Sequence, residues 1–295
     1  MTSIREIQEA LGAPQHGDLE VFGVSSLGAP KPHTLSFATS WSPEVAAQVS
    51  ANPTTVFLIP AGVTDHDAAN CIPTAKPRLA YAQVLRDVLA AEATATIEPT
   101  AFVHPDAEIG TGVSIGHFAV IEAGVVIGDG VRVDHHVVLK SGVSVGAGTR
   151  IGSHTSIGGP GFGFEVDDDG VPIRIGHRGG VVIGANVEIG HQCSIAQGTI
   201  EPTMIGDHVK IDDCVFIAHN VVIGEAAFVI ACSEVSGSVT IGERAWISPA
   251  ASIINKVNVG DDALVGIGAV VVRDVDENTV VAGVPAKPRG QRYLR

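Results

Sequence analysis

The sequence predicts a mainly β protein: a left-handed parallel β-helix of about nine coils, preceded by a small α/β domain. Three observations support this fold class. Aliphatic residues recur at every sixth position over most of residues 97–271. Glycine is abundant, with 35 in 295 residues, and only 4% of residues are aromatic. Such a core is built from small and β-branched side chains, in short strands joined by tight turns.

The six-residue repeat occupies three stretches of the chain, 97–157, 183–195 and 205–271. The loop 158–182 breaks the phase once, and a four-residue insertion shifts it again before residue 205. The three stretches hold 26 repeats, which at three repeats per triangular coil predicts about nine coils. A β-sandwich would show turn signals every 8–12 residues or so, and the unbroken phase argues against it.

Each repeat is interpreted as one short strand followed by a turn. Successive side chains of a strand point to opposite sides, so the aliphatic residue and the residue two positions before it both point inward. Neighbouring coils stack about 4.8 Å apart, and backbone hydrogen bonds join each coil to the next. A residue two positions after the aliphatic one therefore lies beyond the strand and points out of the coil.

Residues 1–96 lack the repeat and are predicted to form the small α/β domain. The segment SIREIQEALG predicts an amphipathic helix that ends at Gly12, and TTVFLIP predicts a buried strand. A second helix is predicted over Pro77–Glu92, with proline in its first turn. The β-helix is predicted over 97–285, and 286–295 is predicted to be a short C-terminal tail.

The charge and cysteine content of the chain indicate which partners and which cellular compartment to expect. The chain carries 32 Asp and Glu against 18 Lys and Arg, with a formal net charge of -14. Such a surface repels phosphate backbones, which argues against nucleic-acid binding. The four cysteines form no CxxC pair, as is typical of reduced cytoplasmic proteins. The N-terminus carries charged residues where a signal peptide would be apolar. The sequence contains no run of about 18 apolar residues, so no membrane span is expected. We therefore expect a cytoplasmic protein.

Four segments together resemble one family of hexapeptide-repeat enzymes. They are HGDLEVFGVSSLGAPKPHTLSF, GGPGFGFEVDDDGVPIRIGHRGGVVIGANVEIG, SIAQGTIEPTMIGDHVKID and IAHNVVIGE. In this order, with the loop and the four-residue insertion, they are similar to the UDP-3-O-acylglucosamine N-acyltransferases of lipid A biosynthesis, over nearly the whole chain. The hexad by itself is weak evidence, because many acyltransferases share it.

The resemblance implies a homotrimeric N-acyltransferase. Such an enzyme transfers an acyl group from a thioester donor, on acyl carrier protein or coenzyme A, to the amine of a UDP-linked amino sugar held between subunits. The thioester is a co-substrate, so neither a permanently bound cofactor nor a metal is expected. In this family the histidine of the IAHN motif is the general base, and His219 is the residue that matches it.

The repeat places His219 outside the core. It lies two residues after the inward Ile217, so it is expected to project from the coil near a corner. Amine attack on a thioester needs a proton acceptor, and histidine, with an ordinary pKa of about 6.5, suits this role. Gly237 stacks on this position one coil of 18 residues later. Backbone N–H groups near Gly237 are candidates for binding the oxyanion, and Asn255 and Lys256, a further coil along, are candidates for the acyl-donor groove.

The resemblance also suggests residues for the nucleotide sugar, with the 1–96 domain as a candidate uridine-binding unit. The family's N-terminal domain stacks uracil against an aromatic pair, and Phe37 matches its first member. The second falls near Pro43, where no tyrosine stands, so Trp41 is the candidate substitute. Gly161 and Phe162 of the phase-breaking loop are further candidates for nucleotide-sugar binding.

Two departures from the family leave an alternative open. The family carries a second histidine about two coils after the catalytic one, where this chain has Asn255 and Lys256. The segment GAVVVRDVDENTVVAGVPAKPRG instead resembles the ending of acetyl-CoA-dependent hexapeptide transferases. Its cations Arg273, Lys287 and Arg289 are candidates to bind the phosphates of coenzyme A or of a carrier. The alternative is an acetyl-CoA-dependent N-acetyltransferase acting on another nucleotide amino sugar.

Two further hypotheses come from other classes. Carbonic anhydrases of the gamma class share the β-helix and bind zinc through histidines between subunits. His117 and His135 lie 18 residues apart, hence on one side of adjacent coils. Hexapeptide coils also serve as non-enzymatic scaffolds. Neither hypothesis gives the loop 158–182 a role.

Overall fold

The computed structural model describes residues 2–64, 69–89 and 95–292. It divides into two compact units, Met1–Ala93 and Thr94–Arg295. The division falls three residues before the start of the β-helix in the predicted domain scheme. The predicted end of the second helix, at Glu92, lies outside the described residues.

The first unit is a small α/β domain. Its central sheet has four parallel strands in the order β3-β4-β5-β6, and β1 and β2 form a separate antiparallel pair. The elements, in chain order, are β1 Thr2–Ser3, α1 Ile4–Ala10, β2 Glu20–Val21, β3 Gly23–Val24, β4 Thr34–Phe37, α2 Pro43–Ser50, β5 Val56–Pro60, β6 Cys71–Thr74 and α3 Pro77–Asp87.

Local sequence explains each helix start. Ser3 caps α1 through a capping box with Glu6, in which the Ser3 side chain accepts from the Glu6 N–H. The helix α2 was not predicted from the sequence. It begins after Ser42, whose hydroxyl accepts from the Val45 N–H, and it has proline in its first turn. Its only fully buried side chain among the described residues is Val49, so the amphipathic signal is weak.

Alternate residues of the central strands pack on opposite sides of the sheet. Leu35, Val56 and Leu58 pack with residues of α1 and α3. Phe57 and Ile59 point the other way, toward Val49 of α2. This alternation is the ordinary period of a strand, and it decides which aromatic residues can meet.

The second unit is a left-handed parallel β-helix, as the repeat predicts. Its strands form three sheets, which we call face one, face two and face three in the order that the chain visits them. Face one holds Ser114–Ile115, Arg132–Val133, Arg150–Ile151, Glu188–Ile189, Lys210–Ile211, Phe228–Val229, Trp246–Ile247, Leu264–Val265, Thr279–Ala282 and Lys287–Gln291. Face two holds Phe102–Val103, Val120–Ile121, Val138–Leu139, Ser156–Pro160, Ser194–Gln197, Phe216–Ile217, Glu234–Val235, Ser252–Ile253 and Val270–Val271. Face three holds Glu108–Ile109, Val126–Ile127, Val143–Val145, Val181–Ile183, Thr203–Ile205, Val222–Ile223, Thr240–Ile241 and Asn258–Val259.

The nine strands of face two correspond to the predicted nine coils. One hairpin interrupts the coils, Phe164–Val166 paired antiparallel with Pro172–Arg174. Strands of neighbouring coils pair in parallel at an 18-residue offset, as Phe216 and Ile217 do with Glu234 and Val235. The inward residues of each repeat form a single continuous apolar core.

The segment predicted as a tail takes part in the structure over its described residues. Lys287–Gln291 pairs antiparallel with Thr279–Ala282 and so extends face one. The Arg292 guanidinium donates to the Arg244 carbonyl at 2.8 Å. The repeat could not predict this strand, because it lies after the last hexad. Among the described residues, no helix is both long and apolar enough to cross a membrane.

Two neighbouring isoleucines test which side of the strand forms the core. Ile253 is 0% exposed, whereas Ile254 is 47% exposed. The substitution Ile253→Ala should lower the free energy of unfolding by about 2–5 kcal/mol, because it leaves a cavity in a continuous core. The matched substitution Ile254→Ala should change it by about 0.5 kcal/mol or less. Chemical denaturation of both variants measures the difference, and equal losses would contradict the assigned strand register.

Candidate functional site

The corner between faces two and three carries both interruptions of the six-residue repeat. The phase-breaking loop 158–182 begins within the face-two strand Ser156–Pro160 and ends within the face-three strand Val181–Ile183. The four-residue insertion lies at the same corner one coil later, between Gln197 and Thr203. His219 occupies this corner in the coil after that. We call this place the loop corner.

The predicted geometry of His219 is found in the structure. The ring leaves the coil beyond Ile217 and is half-buried. Its Nδ1 atom lies 3.0 Å from Oδ1 of Asn220. A Cβ atom added to Gly237 would lie 2.8 Å from both Cε1 and Nε2 of this ring, and one added to Gly161 would lie 2.9 Å from Cδ2. Residues without side chains therefore border the ring on two sides.

Asn220 fixes which nitrogen of His219 carries the proton. The Asn220 Nδ2 group donates to the Glu201 carbonyl at 2.9 Å, and Oδ1 accepts from the Thr199 N–H at 3.1 Å. A carbonyl only accepts and an N–H only donates, so this amide has one orientation. Its Oδ1 must then accept from Nδ1–H of His219, which leaves the lone pair on Nε2. The four-residue insertion, which supplies Thr199 and Glu201, therefore sets the tautomer of the candidate base.

Gly237 lies against the Nε2 side of the ring, as the 18-residue stacking predicts. Its carbonyl accepts from the Lys256 N–H at 3.0 Å. Its own N–H has no hydrogen-bond partner in the described part of the chain. Any side chain at 237 would occupy the space of the imidazole, so glycine is required there. Asn255 and Lys256 are exposed at the same corner one coil further on.

The loop 158–182 and the neighbouring coils of face two line a cavity beside His219. This cavity has a volume of about 290 Å³ and is lined by Gly159, Pro160, Gly161, Phe162, Arg174, Ser194, Ala196 and Phe216. Gly161 and Phe162, the two loop residues predicted to bind the nucleotide sugar, therefore both line this cavity. The Phe162 side chain is 84% exposed. The Arg174 guanidinium donates to the Gly161 carbonyl at 3.2 Å and lies 4.4 Å from the ring centre of Phe164. A larger cavity, of about 400 Å³, lies along face one and contains none of the predicted site residues.

His177 is a residue of this site that the sequence analysis missed. Its ring centre lies 5.0 Å from that of His219, at an angle of 62° between the rings. Its Nδ1 lies 3.0 Å from the Ile175 carbonyl. Burial lowers the pKa of His177 below its ordinary value of 6.5, and the positive charge of Arg174, together with that of His219 when it is protonated, acts in the same direction. The only sequence signal was its place in the loop that breaks the repeat.

The structure does not bring Phe37 and Trp41 together. Phe37 packs with the α1 and α3 side of the sheet, where its ring centre lies 4.8 Å from that of Tyr81. Trp41 packs with the opposite cluster, beside Phe57 and Val49. The partner of Phe37 comes from α3, which sequence distance alone does not reveal. A uridine-binding role for either residue stays a prediction.

The three cations predicted to bind phosphate lie at two different places on the β-helix. Arg273 follows the last strand of face two and is exposed at the loop corner. Lys287 and Arg289 are exposed on the last strand of face one. Phosphate binding by these three cations stays a prediction.

The stacked histidines His117 and His135 lie at the corner between faces one and two. Their ring centres are 5.5 Å apart, and Nδ1 of His135 accepts from the His117 N–H at 2.9 Å. They share the hexad position of His219 but not its corner. In the described ranges, no three His, Cys, Asp or Glu side chains are grouped as ligands for one metal ion.

The lowered pKa of His177 predicts a pH dependence of stability. The unfolded chain binds a proton at this residue near pH 6.5, whereas the folded chain resists it. The free energy of unfolding should therefore be highest above about pH 6.5 and fall as the pH drops below it. The variant His177→Gln should show a smaller fall. Denaturation curves of both proteins between pH 8 and pH 5 test this, and parallel losses would contradict it.

Comparison with known sequences gives close relatives. The chain is 38% identical over 241 residues to a UDP-3-O-acylglucosamine N-acyltransferase of Pseudomonas entomophila (strain L48), covering 74% of this chain and 68% of the relative. It is 34% identical over 245 residues to the Coxiella burnetii (strain RSA 493 / Nine Mile phase I) protein of the same name, covering 76% and 71%. No protein-family model matches the chain.

Solved structures give a similar β-helix. A UDP-N-acetylglucosamine acyltransferase from Bacteroides fragilis 9343 is 25% identical with a TM-score of 0.62, over 66% of this chain and 74% of that one. The UDP-N-acetylglucosamine acyltransferase of Arabidopsis is 27% identical with a TM-score of 0.57, over 66% and 74%. Both are similar to this chain in fold.

These relatives decide between the classes left open by the sequence. The chain is an acyltransferase, because its relatives are acyltransferases at 34% identity or more over most of the chain. The relatives give no support to the zinc hydrolyase or to the non-enzymatic scaffold. The chain belongs to the UDP-3-O-acylglucosamine N-acyltransferase family of hexapeptide-repeat acyltransferases.

Proposed function

We propose that this enzyme transfers an acyl group from a thioester to the amine of a UDP-linked amino sugar, with His219 as general base. The observation that carries the proposal is the 3.0 Å contact of His219 Nδ1 with Oδ1 of Asn220, an oxygen that can only accept. The hydrogen bonds of Asn220 leave the Nε2 lone pair free, on the side of the ring that Gly237 borders. A neutral imidazole held in this way is a ready proton acceptor.

The reaction uses these groups in one sequence. The amine nitrogen attacks the thioester carbonyl carbon, and His219 Nε2 takes a proton from that nitrogen. The carbonyl oxygen becomes an oxyanion, and the N–H of Gly237, which has no partner in the described part of the chain, is the proposed donor to it. Collapse of the tetrahedral intermediate breaks the C–S bond. The leaving thiolate takes the proton from the His219 imidazolium, and the products are an amide and a free thiol.

The loop cavity is the proposed site for the acceptor. Gly161 lies at its inner end beside His219, and Phe162 lies at its exposed rim. Aromatic and apolar walls with a few polar groups suit a nucleotide sugar. Within the first unit, Phe37 and Trp41 are each proposed as a separate uridine contact, because they lie in different clusters.

The donor is proposed to be a thioester of acyl carrier protein or coenzyme A. Asn255 and Lys256 lie along the loop corner beyond Gly237, where the donor groove is expected. Arg273 lies at the same corner near the end of the β-helix, in a chain with 32 acidic and 18 basic residues, and suits a phosphate. Lys287 and Arg289 lie on face one and would reach a second phosphate group or a carrier surface. These cations favour the second candidate, acetyl transfer from acetyl-CoA to another nucleotide amino sugar.

A homotrimer would complete the groove beside His219. Face three carries an exposed apolar row next to the loop corner, with Val182, Met204 and Val222 at 39%, 45% and 39% exposure. A row of this kind is typical of a covered surface. Sedimentation equilibrium should therefore give about three times the chain mass of 30.3 kDa. A monomer mass at assay concentration would contradict the shared groove.

Removal of the base tests the proposed reaction. His219→Ala should lower kcat for amide formation by about 10²–10⁴-fold, because the general base is lost and Nε2 of the neighbouring His177 is shielded from solvent. His191→Ala is the matched control, since His191 has the same hexad position at another corner. It should stay within about twofold of the wild type.

The assay should combine UDP- and dTDP-amino sugars with acetyl-CoA, longer acyl-CoA and acyl carrier protein thioesters. Product detection by mass spectrometry identifies the amide. Near-wild-type turnover of His219→Ala with the best pair would overturn the role of His219. Absence of amide from every pair would overturn the proposed reaction itself.

A further inference from the structure

His177 presents a buried nitrogen without a partner next to the candidate base. The residue is only 7% exposed, so its side chain is more than nine-tenths buried. Its Nε2 atom makes no hydrogen bond and is shielded from solvent. An unpaired buried polar atom destabilises the fold, by about 1–3 kcal/mol on average. An apolar ring would fill the same space without this loss of stability. The buried Nε2 atom of His177 is therefore expected to have a role other than packing.

The tautomer of His177 follows from its one hydrogen bond. Nδ1 lies 3.0 Å from the Ile175 carbonyl, and a carbonyl only accepts, so Nδ1 carries the proton. Nε2 therefore holds a lone pair. The pKa of His177 is lowered, mainly by burial, so the ring stays neutral at pH 7 and keeps this lone pair.

Nε2 of His177 and the Cδ2 edge of His219 border the same small space beside Gly161. A Cβ atom added to Gly161 would lie 2.7 Å from His177 Nε2, 2.8 Å from His219 Cβ and 2.9 Å from His219 Cδ2. These three atoms thus border one small space, which the missing side chain of Gly161 leaves open. The 62° angle between the rings gives an edge-to-face arrangement. Arg174 places a positive charge near His177, and His219 adds a second one once it is protonated.

We infer that His177 is a positioning residue that acts through His219: its unpaired Nε2 faces the Cδ2 edge of His219 and stabilises the imidazolium that forms when His219 takes a proton. A general base starts the reaction as a neutral ring, so at that point the lone pair of His177 meets no positively charged edge. When His219 becomes positive, its ring C–H groups become positive as well, and the lone pair attracts them in a space closed to water. The interaction strengthens only in the charged state, which is the condition for accelerating a reaction.

This inference deepens the proposed function and rests on it for its kinetic consequence. Two variants separate the nitrogen from the ring. His177→Phe keeps a flat ring but replaces the lone pair with a C–H edge that is positive. His177→Gln gives up the ring but keeps one donor for the Ile175 carbonyl and one acceptor for His219. If the His177 ring only fills space, His177→Phe should preserve activity better than His177→Gln. If the lone pair on Nε2 is needed, His177→Gln should preserve activity better.

The first measurement is steady-state kinetics of the full-length enzyme with its best donor and acceptor. His177→Phe should lower kcat about tenfold and leave KM for the acceptor within about twofold, because the interaction exists only when His219 is charged. His177→Gln should keep kcat within about threefold of the wild type. Equal kcat for the two variants, or a better Phe variant, would overturn the inference.

The second measurement needs no substrate. Diethyl pyrocarbonate acylates neutral imidazoles and builds positive charge on the ring as it reacts. At pH 8, peptide mass spectrometry should show His219 modified about threefold or more slowly in His177→Phe than in the wild type and in His177→Gln. The exposed His208 serves as the internal reference. Equal rates in all three proteins would overturn the inference. Altered rates together with no amide from any substrate pair would overturn the proposed function and leave the inference standing.

Discussion

The structure depends on the hydrogen bonds that run from each coil of the β-helix to the next. They hold neighbouring coils in an 18-residue register, as in the pairing of Ile217 with Val235. The Ala218 N–H donates to the Val235 carbonyl at 2.9 Å, and the Ser238 N–H donates to the His219 carbonyl at 2.9 Å. These bonds bracket the corner at which His219 stands. The imidazole and Gly237 therefore meet because of the register of the coils, and a packed apolar core keeps that register in place.

The fixed register of the coils also brings two insertions to the same corner of the β-helix. An insertion into a rigid coil leaves the strands in register and expels the extra residues at a corner. The loop 158–182 and the four-residue insertion widen the offset between paired strands from 18 residues to 38 and 22 residues, yet the flanking strands still pair directly. One insertion delivers Thr199 and Glu201 to Asn220, and the other delivers His177 to His219. A regular coil carries no side chains that reach this far.

The sequence predicted most of the fold and part of the site, for clear physical reasons. The hexad reports which side chains are inward, so the β-helix, the exposure of His219 and its stacking with Gly237 all follow from spacing. The roles of Asn220 and His177 depend on hydrogen bonds made by irregular segments, which have no period to read. In the first unit, α2 was missed because Val49 alone is fully buried, and Tyr81 meets Phe37 only through the packing of α3. The last strand, Lys287–Gln291, lies beyond the repeat.

The central claim is that the four-residue insertion, acting through Asn220, holds His219 as the Nδ1–H tautomer with its lone pair on Nε2. Long-range 1H–15N correlation spectra of the protein with 15N-labelled histidine measure the tautomer of each neutral ring. The account predicts that His219 at pH 8 carries its proton on Nδ1 in the wild type, and that Asn220→Ala gives a mixture of both tautomers. A wild-type spectrum with the proton on Nε2 would contradict it.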